Sequence, residues 1–230
     1  MPANKSKSLS RERLYKMVIA AMLAALTAVI TFTPIGLIPL PPPLPNATTV
    51  HIPVIIAALC EGWGVGLFVG LVFGTCSLIN AWGTGKVGLT LFFRNPLVSV
   101  LPRLMVPCVA ILLFTLWKKF FPEGKVKDKI GAAITAVLAS LTNTMCCLGM
   151  IALIYGGELT ELVNNAIQAG STEAAYLDNA GAWLVAAVGV PNGIAESLLA
   201  ALIVPTAKLA IDAVKHRRGG KKSLPKEANP

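Results

Sequence analysis

Residues 17–38 read MVIAAMLAALTAVITFTPIGLI and contain no charged side chain. A transmembrane helix needs about 20 consecutive apolar residues to cross the hydrocarbon core of a bilayer, and this run is long enough. The preceding residues 1–16 are polar and basic, as they are in secretory signal peptides. No clear small-x-small cleavage site closes the run, so we interpret it as the first membrane-spanning helix.

The whole chain has the composition of an integral membrane protein. Of its 230 residues, 55% are hydrophobic and 13% are charged, and the mean hydropathy is +0.70. A soluble domain carries about 25% charged residues, because its surface faces water. At about 20 residues per span, the length allows about six spans with short loops and no soluble catalytic domain. The prediction is an all-α bundle of six transmembrane helices.

The apolar runs and the residues that break them give approximate helix bounds. The predicted helices cover residues 17–38, 48–60, 65–80, 95–117, 130–155 and 181–213. The proline-rich stretch 39–46 is predicted to be extended, because proline lacks the donor N–H that a helix needs. A glycine-rich loop is predicted at 81–93, and a polar, acidic loop at 156–179.

Basic residues predict the orientation of the bundle, because cytoplasmic loops are enriched in Lys and Arg. With the N-terminus inside, the cytoplasmic segments are residues 1–16, 61–63, 118–129 and 208–230. These segments hold 17 of the 20 basic residues. We therefore predict a multi-pass protein of the cell membrane with both ends in the cytoplasm. It has a basic N-terminus (1–16), a six-helix domain (17–213) and a basic tail (214–230), and no nucleic-acid partner.

Small side chains recur every four residues on three of the predicted helices. The ridges are Gly62, Gly66, Gly70 and Gly74; Ala132, Ala136, Ser140 and Thr144; and Ala20, Ala24 and Ala28 beside Ala21 and Ala25. This spacing places small residues on one side of a helix and lets two backbones approach closely. We predict that the ridges of helices 3 and 5 pack inside the bundle. The broad alanine face of helix 1 can instead dock a partner helix, through Ala20, Ala21, Ala24 and Ala25.

Polar side chains within the spans are costly in a membrane and mark candidate functional sites. Most of them fall in the predicted outer half of the bundle. The candidate substrate-binding residues are His51, Asn80, Trp82, Arg94, Asn95, Arg103, Asn143, Trp183, Asn192 and Glu196. Asn192 and Glu196 share a helix face by their spacing of four. The prediction is an outward-facing pocket, and the cations Lys86, Arg94 and Arg103 suit an anionic ligand.

Structural roles compete with ligand binding for several of these residues. Arg94 can extend to lipid headgroups, and His51 can cap the second helix. Arg103 and Glu196 can form an ion pair with each other, and Asn143 can hold helices together by hydrogen bonding. The two tryptophans can belong to the aromatic belt of the outer membrane interface.

The sequence carries no motif of a catalytic, nucleotide or metal site. It lacks a P-loop, an HExxH motif and a GxSxG serine elbow, and its five cysteines show no CxxC spacing. Its two histidines, His51 and His216, have no Ser or Cys partner within a span. We therefore predict that the chain is not an enzyme and holds no cofactor or metal.

Four segments, in this order and spacing, resemble the substrate-binding (S) subunits of energy-coupling factor (ECF) transporters. They are ATTVHIPVII at 47–56, GVGLFVGLVFG at 64–74, NPLVSVLPR at 95–103 and PNGIAE at 191–196. The resemblance covers about residues 14–212, nearly the whole chain. It implies the six-helix membrane fold predicted above.

The resemblance also implies a function. An S subunit captures a water-soluble vitamin or related micronutrient from outside with high affinity. It then associates with a membrane scaffold (T) subunit and two cytosolic ATPase subunits, so ATP is used by the partners. In this family, small residues on the first helix contact the scaffold, which implies docking by Ala20, Ala21, Ala24 and Ala25. The family's ligand lies under the loops after helices 1 and 3, at the outer ends of helices 4 to 6.

The sequence leaves several candidates for the ligand of this site. The region of His51 and the last helix are most similar to the branch with pantothenate and folate carriers, and the cations favour pantothenate, a small carboxylate. Folate, a flavin, a queuosine precursor or another small metabolite stay open, while cobalamin is less favoured. Two other functions also stay open: a self-sufficient secondary carrier of a small anionic metabolite, and a non-catalytic structural protein of the membrane.

Overall fold

The computed structural model describes residues 3–38, 47–84, 88–121, 124–168 and 180–220. Within these ranges the regular secondary structure is helical apart from one short pair of strands. Strand β1 (Leu37–Ile38) runs antiparallel to β2 (Ala47–Thr48), with Leu37 opposite Thr48. The stretch 39–46, predicted to be extended, lies outside the described residues.

The described ranges contain eight α-helices. They are α1 (Ala3–Phe32), α2 (His51–Glu61), α3 (Trp63–Thr84), α4 (Pro96–Phe120), α5 (Lys125–Ile154), α6 (Gly156–Gln168), α7 (Ala180–Trp183) and α8 (Val190–Gly220). A 3-10 turn (Pro34–Gly36) precedes β1, and a longer 3-10 segment (Gly88–Arg94) precedes α4. A π-helical segment (Leu184–Gly189) joins α7 to α8.

Five helical segments of the described chain are long and apolar enough to cross a membrane. They are Glu12–Phe32, Trp63–Gly83, Pro96–Phe120, Val126–Ile154 and Ala180–Lys215. The sixth predicted span corresponds to α2, which has 11 residues. At 1.5 Å per residue α2 is ~16 Å long, about half of the hydrocarbon thickness. The structure thus supports five of the six predicted spans, and the orientation with both ends in the cytoplasm stays a prediction.

Two predicted loops contain helical structure. The segment 88–94 is 3-10 helical, and α6 occupies much of the predicted acidic loop at 156–179. The acidic residues Glu158 and Glu161 of α6 are exposed, whereas Leu159 and Val163 are buried. An apolar pair four residues apart, with acidic neighbours, is the pattern of a surface helix rather than of a loop.

The helix ends also differ from the predicted bounds. Helix α1 ends at Phe32, six residues before the predicted end at 38, because Pro34 opens a 3-10 turn that leads into β1. At the two basic ends of the chain, α1 begins at Ala3 and α8 continues to Gly220. Helical structure therefore extends beyond the apolar runs on both sides.

The short helix α2 lies at the centre of the bundle. Its first eight residues, His51 to Ala58, are all buried. Helices α1, α3, α4, α5 and α8 pack around it. The main apolar core joins these helices through Ile55 of α2, Val69 of α3, Val106 of α4, Ala136 of α5 and Val204 of α8, among others. Because α2 is enclosed by its neighbours, it does not need the length of a membrane span.

The glycine ridge of α3 packs inside the bundle, as predicted. A Cβ atom at Gly66 would lie 3.0 Å from the Cα of Ala58, and one at Gly70 would lie 2.9 Å from the carbonyl oxygen of Arg103. At the first position of the predicted ridge, Gly62 forms the turn between α2 and α3 with φ of 81°. The ridge thus lets the backbones of α2 and α4 approach α3 closely.

The two alanine ridges of α1 face different surroundings. Ala24 is 8% exposed and belongs to the main core, and Ala20 packs against that core. Ala21 and Ala25 are exposed. Of the four alanines predicted to dock a partner, Ala20 and Ala24 therefore face the bundle itself, and only Ala21 and Ala25 form an outward surface.

We expect Gly70→Ala to lower the free energy of unfolding by about 1–3 kcal/mol, because the added methyl group overpacks the contact with Arg103. Gly64→Ala on the same helix is the matched control, since a Cβ atom there meets nothing within 4 Å. Denaturant or thermal unfolding in detergent measures both variants. Equal stability of the two would contradict the close approach of α3 to α4.

Candidate functional site

Five of the predicted site residues are buried where α2, α4, α5 and α8 meet. They are His51, Arg103, Asn143, Asn192 and Glu196, and none is more than 9% exposed. His51, which is fully buried, lies within electrostatic reach of both Glu196 and Arg103. We refer to these five residues as the buried polar cluster.

Glu196 ties the strand pair to the bundle. Its Oε1 atom accepts hydrogen bonds from the backbone N–H of Thr48, at 2.8 Å, and from the hydroxyl of the same residue, at 3.0 Å. Its Oε2 atom accepts one from the Thr144 hydroxyl, at 3.2 Å. Hydrogen bonds to an ionised carboxylate are stronger than neutral ones. Because Thr48 pairs with Leu37, Glu196 links α8 to both strands.

Arg103 is a buried cation with no acidic partner within ion-pair distance in the described part of the chain. It is 6% exposed, and its Nη1 atom donates to the carbonyl oxygen of Val98 and to the sulfur of Cys147, both at 2.8 Å. The guanidinium lies 5.3 Å from the ring centroid of Phe73 and 4.9 Å from that of Phe93. The ion pair with Glu196 that the sequence left open does not form.

Several polar atoms of this region have no hydrogen-bond partner among the described residues. They include both ring nitrogens of His51, the Nε atom of Arg103, the Oδ1 atom of Asn192, and the hydroxyls of Ser140 and Ser197. Leaving such a buried group unpaired costs about 1–3 kcal/mol. His51 therefore does not cap α2 through its side chain, and the cluster offers donors and acceptors to a polar ligand.

The other five predicted residues lie outside the buried polar cluster. They are Asn80, Trp82, Arg94, Asn95 and Trp183. Trp82 is 64% exposed, and the guanidinium of Arg94 lies 5.3 Å from its ring centroid. Asn95 caps α4 by accepting a hydrogen bond from the N–H of Leu97, and its amide donates to the hydroxyl of Tyr155 at 3.1 Å. Asn80 is half-buried on α3. The described contacts of these residues do not join them to the cluster.

A second apolar cluster lies beside Arg103. It joins the 3-10 segment before α4 to α4, α5, α6 and the π-helical segment. Its buried members are Phe92, Val98, Leu148, Ile151, Leu159, Leu184 and Val188. Trp183 and Phe93 pack against it, and Phe93 also contacts the Arg103 guanidinium. An apolar wall of this kind keeps water away from the cation and strengthens its interaction with an anion.

A family model of the substrate-specific component of ECF transporters matches residues 15–207 of this chain. The chain belongs to this family. The resemblance found in the sequence is thereby confirmed, and with it the prediction of a membrane protein, which the five apolar helices support. Members of this family are the substrate-binding components of transporters rather than enzymes.

Two relatives of this S component are named as transporters of pantothenate. The pantothenic acid transporter PanT of Lactococcus lactis subsp. cremoris (strain MG1363) is 26% identical over 157 residues, which cover 62% of this chain and 74% of the relative. The pantothenate transporter PanT of Leuconostoc mesenteroides subsp. mesenteroides is 32% identical over 114 residues, which cover 48% of this chain and 54% of the relative.

Sequence reasoning did not single out the partners of the charged residues in this S component. Cys147 has no CxxC spacing and was not singled out, although it follows Asn143 by four residues and so shares its helix face. Thr144 was assigned to a packing ridge. Thr48 carried no signal, because its contact with Glu196 joins residues 148 apart in the chain. Of these three partners, only Cys147 could have been found from the sequence, by its spacing of four from Asn143.

We expect Glu196→Gln to loosen the strand pair, because the uncharged amide offers one acceptor oxygen where the carboxylate serves three donors. Hydrogen bonds to charged groups contribute about 1.5–3 kcal/mol. Amide hydrogen exchange at Thr48 should therefore accelerate about tenfold or more. The control Glu158→Gln, exposed on α6, should leave this exchange unchanged. Unaltered exchange at Thr48 in both variants would show that other contacts hold the strands.

Proposed function

We propose that this S component is the high-affinity substrate-binding subunit of an ATP-dependent ECF importer of pantothenate. The single observation that carries the choice of ligand is the buried guanidinium of Arg103, which has no acidic partner among the described residues. The names of the two relatives support the same choice. Pantothenate carries one carboxylate, one amide and two hydroxyl groups.

The carboxylate of pantothenate is assigned to Arg103. A buried charge without a partner of opposite sign is strongly destabilising, and a carboxylate ligand removes this penalty. Arginine binds carboxylates through two parallel N–H donors, and the Nε atom of Arg103 has no other partner among the described residues. The aromatic rings of Phe73 and Phe93 hold the guanidinium plane in place.

The neutral groups of pantothenate are assigned to the rest of the buried polar cluster. Both nitrogens of His51 and the Oδ1 atom of Asn192 have no hydrogen-bond partner in the part of the chain that the structure describes, and they can bind hydroxyl and amide groups. The Glu196 carboxylate already accepts three hydrogen bonds, so it acts mainly on the strand pair. Arg94, which is half-buried beside exposed Trp82, attracts the anion at the rim without holding it.

Calorimetric titration of the purified protein with pantothenate and with pantothenol, which has an alcohol in place of the carboxylate, tests this assignment. We expect the wild type to bind pantothenate with a sub-micromolar Kd and pantothenol at least about tenfold more weakly. Arg103→Gln should weaken pantothenate binding by a similar factor and remove the discrimination. Arg94→Gln, with the same change of charge, should preserve it.

Equal affinity of the wild type for the two compounds would overturn the role of Arg103. Absence of pantothenate binding, together with tight binding of another soluble carboxylate, would reject pantothenate but retain the anion site. Absence of any tight soluble ligand would favour a structural role in the membrane instead.

The same proposal includes a membrane scaffold subunit and two cytosolic ATPase subunits as partners. The family suggests the first helix as the contact with the scaffold, and α1 is the least buried of the five spans. Its outward face combines the small residues Ala21 and Ala25 with the large exposed side chains of Met22 and Val29. A helix of the scaffold can approach the backbone of α1 closely at the two alanines.

We expect Ala21→Trp and Ala25→Trp to abolish pantothenate uptake in cells that express the complete importer, while binding to the purified protein stays intact. Ala152→Trp, at an exposed position of α5, is the matched control and should support normal uptake. Ala24→Trp should instead lower stability, because Ala24 lies in the core. Uptake by this chain without the ATPase subunits would contradict the importer and favour a secondary carrier.

A further inference from the structure

A cavity of about 570 Å³ lies between α5 and α8, away from the buried polar cluster. Its lining residues are Asp128, Lys129, Ala132, Pro205, Lys208, Leu209, Asp212 and Ala213. Along α8, Lys208 is 12 residues from Glu196, or ~18 Å at the rise of a helix. The cavity thus lies toward the end of the bundle where α5 begins and basic residues are concentrated, which we call the basic end.

The walls of this cavity are held by specific contacts. The indole N–H of Trp117 on α4 donates to the carbonyl oxygen of Lys127 at 3.1 Å. The ring packs so closely on Gly131 that a Cβ atom there would lie 2.3 Å from it. On the opposite wall, Lys208 is buried, forms an ion pair with Asp212, and lies 5.3 Å from the ring centroid of Phe114. These contacts hold the first turns of α5 against α4, and the turn Lys208–Asp212 of α8 against Phe114.

The lining of the cavity is half charged and half apolar. Lys208 and Asp212 neutralise each other. Asp128 and Lys129, in contrast, form no ion pair with any residue that the structure describes. Among the described residues, one carboxylate and one ammonium of the lining are thus without an ion-pair partner, next to the apolar surfaces of Ala132, Pro205, Leu209 and Ala213. A ligand that matches these walls carries a cation and an anion close together, and an apolar body.

We propose that this cavity binds a zwitterionic phospholipid with a primary-amine headgroup. The phosphate lies against Lys129, near the Lys208–Asp212 pair, and the ammonium donates hydrogen bonds to Asp128. The glycerol and the first part of an acyl chain lie against the apolar wall. Since α5 and α8 are both membrane-spanning, such a ligand reaches the cavity from the bilayer. Basic pockets between such helices bind the headgroups of anionic lipids, and the Asp128 carboxylate in this lining favours a headgroup that also carries a cation.

Asp128 determines which headgroup is preferred. A primary ammonium has three N–H donors and can hydrogen-bond to a carboxylate, whereas the quaternary ammonium of phosphatidylcholine has none. Phosphatidylglycerol has a net negative charge and no cation to pair with Asp128. The cavity should therefore prefer phosphatidylethanolamine over both, a selectivity that the lysines alone would not produce.

Native mass spectrometry and thermal unfolding of the purified full chain, with each of these three phospholipids added, test the proposal. We expect phosphatidylethanolamine to be retained best and to raise the Tm most. Asp128→Asn should weaken its retention about tenfold, to the level of phosphatidylcholine. Lys129→Gln should weaken the retention of all three. The matched controls are Lys127→Gln, an exposed neighbour outside the lining, and Glu158→Gln on α6; both should behave as the wild type does.

Equal retention of the three phospholipids by the wild type would overturn the proposal without the need for any variant. Preference for phosphatidylglycerol would also overturn it, because the lysines alone would then select the headgroup. Preserved preference for phosphatidylethanolamine in Asp128→Asn would reject the role of this carboxylate. Pantothenate titration of the same preparations is a separate readout, so this proposal and the transport function can fail independently.

Discussion

The close contact of α3 with α2 and α4 is the constraint on which the rest of the structure depends. Helix α2 is too short to cross a bilayer, and its neighbours have to enclose it. Gly66 and Gly70 allow this enclosure, because any larger side chain would meet Ala58 or the backbone of Arg103. The same contact brings Phe73 of α3 against the Arg103 guanidinium. The same close packing of α3 against α4 therefore both encloses α2 and positions the Arg103 guanidinium.

Charge is distributed unequally between the two ends of this bundle. Around α2, one buried cation and one buried carboxylate are held apart, each with its own partners. In an apolar medium such charges are costly unless they are paired, so their separation leaves the cation available to an anionic ligand. At the basic end, Lys208 and Asp212 neutralise each other instead. The unpaired cation around α2 suits an anionic ligand, whereas Asp128 and Lys129, which form no ion pair with a described residue at the basic end, suit a zwitterion.

The membrane spans were predictable from apolar runs, and the burial of five of the ten site residues followed from their cost in a membrane. Helix α6 was missed because two exposed glutamates masked the apolar pair Leu159 and Val163. The sixth predicted span is not confirmed, because an apolar run shows burial but not whether lipid or protein surrounds it, and α2 is enclosed by its neighbours. The sequence likewise did not distinguish the roles of Arg103, which is buried, and Arg94, which lies over the ring of exposed Trp82.

By itself, the sequence determined that this chain enters a membrane, approximately where it crosses, and which family it resembles. These properties follow from composition or from local sequence patterns, and they do not depend on which side chains are in contact. Only the tertiary structure decided that Ala24 faces the core while Ala21 and Ala25 face outward. It also decided that Glu196 binds Thr48 and Thr144 rather than Arg103. Such choices depend on helix rotation and on contacts between distant residues, which spacing along one helix does not encode.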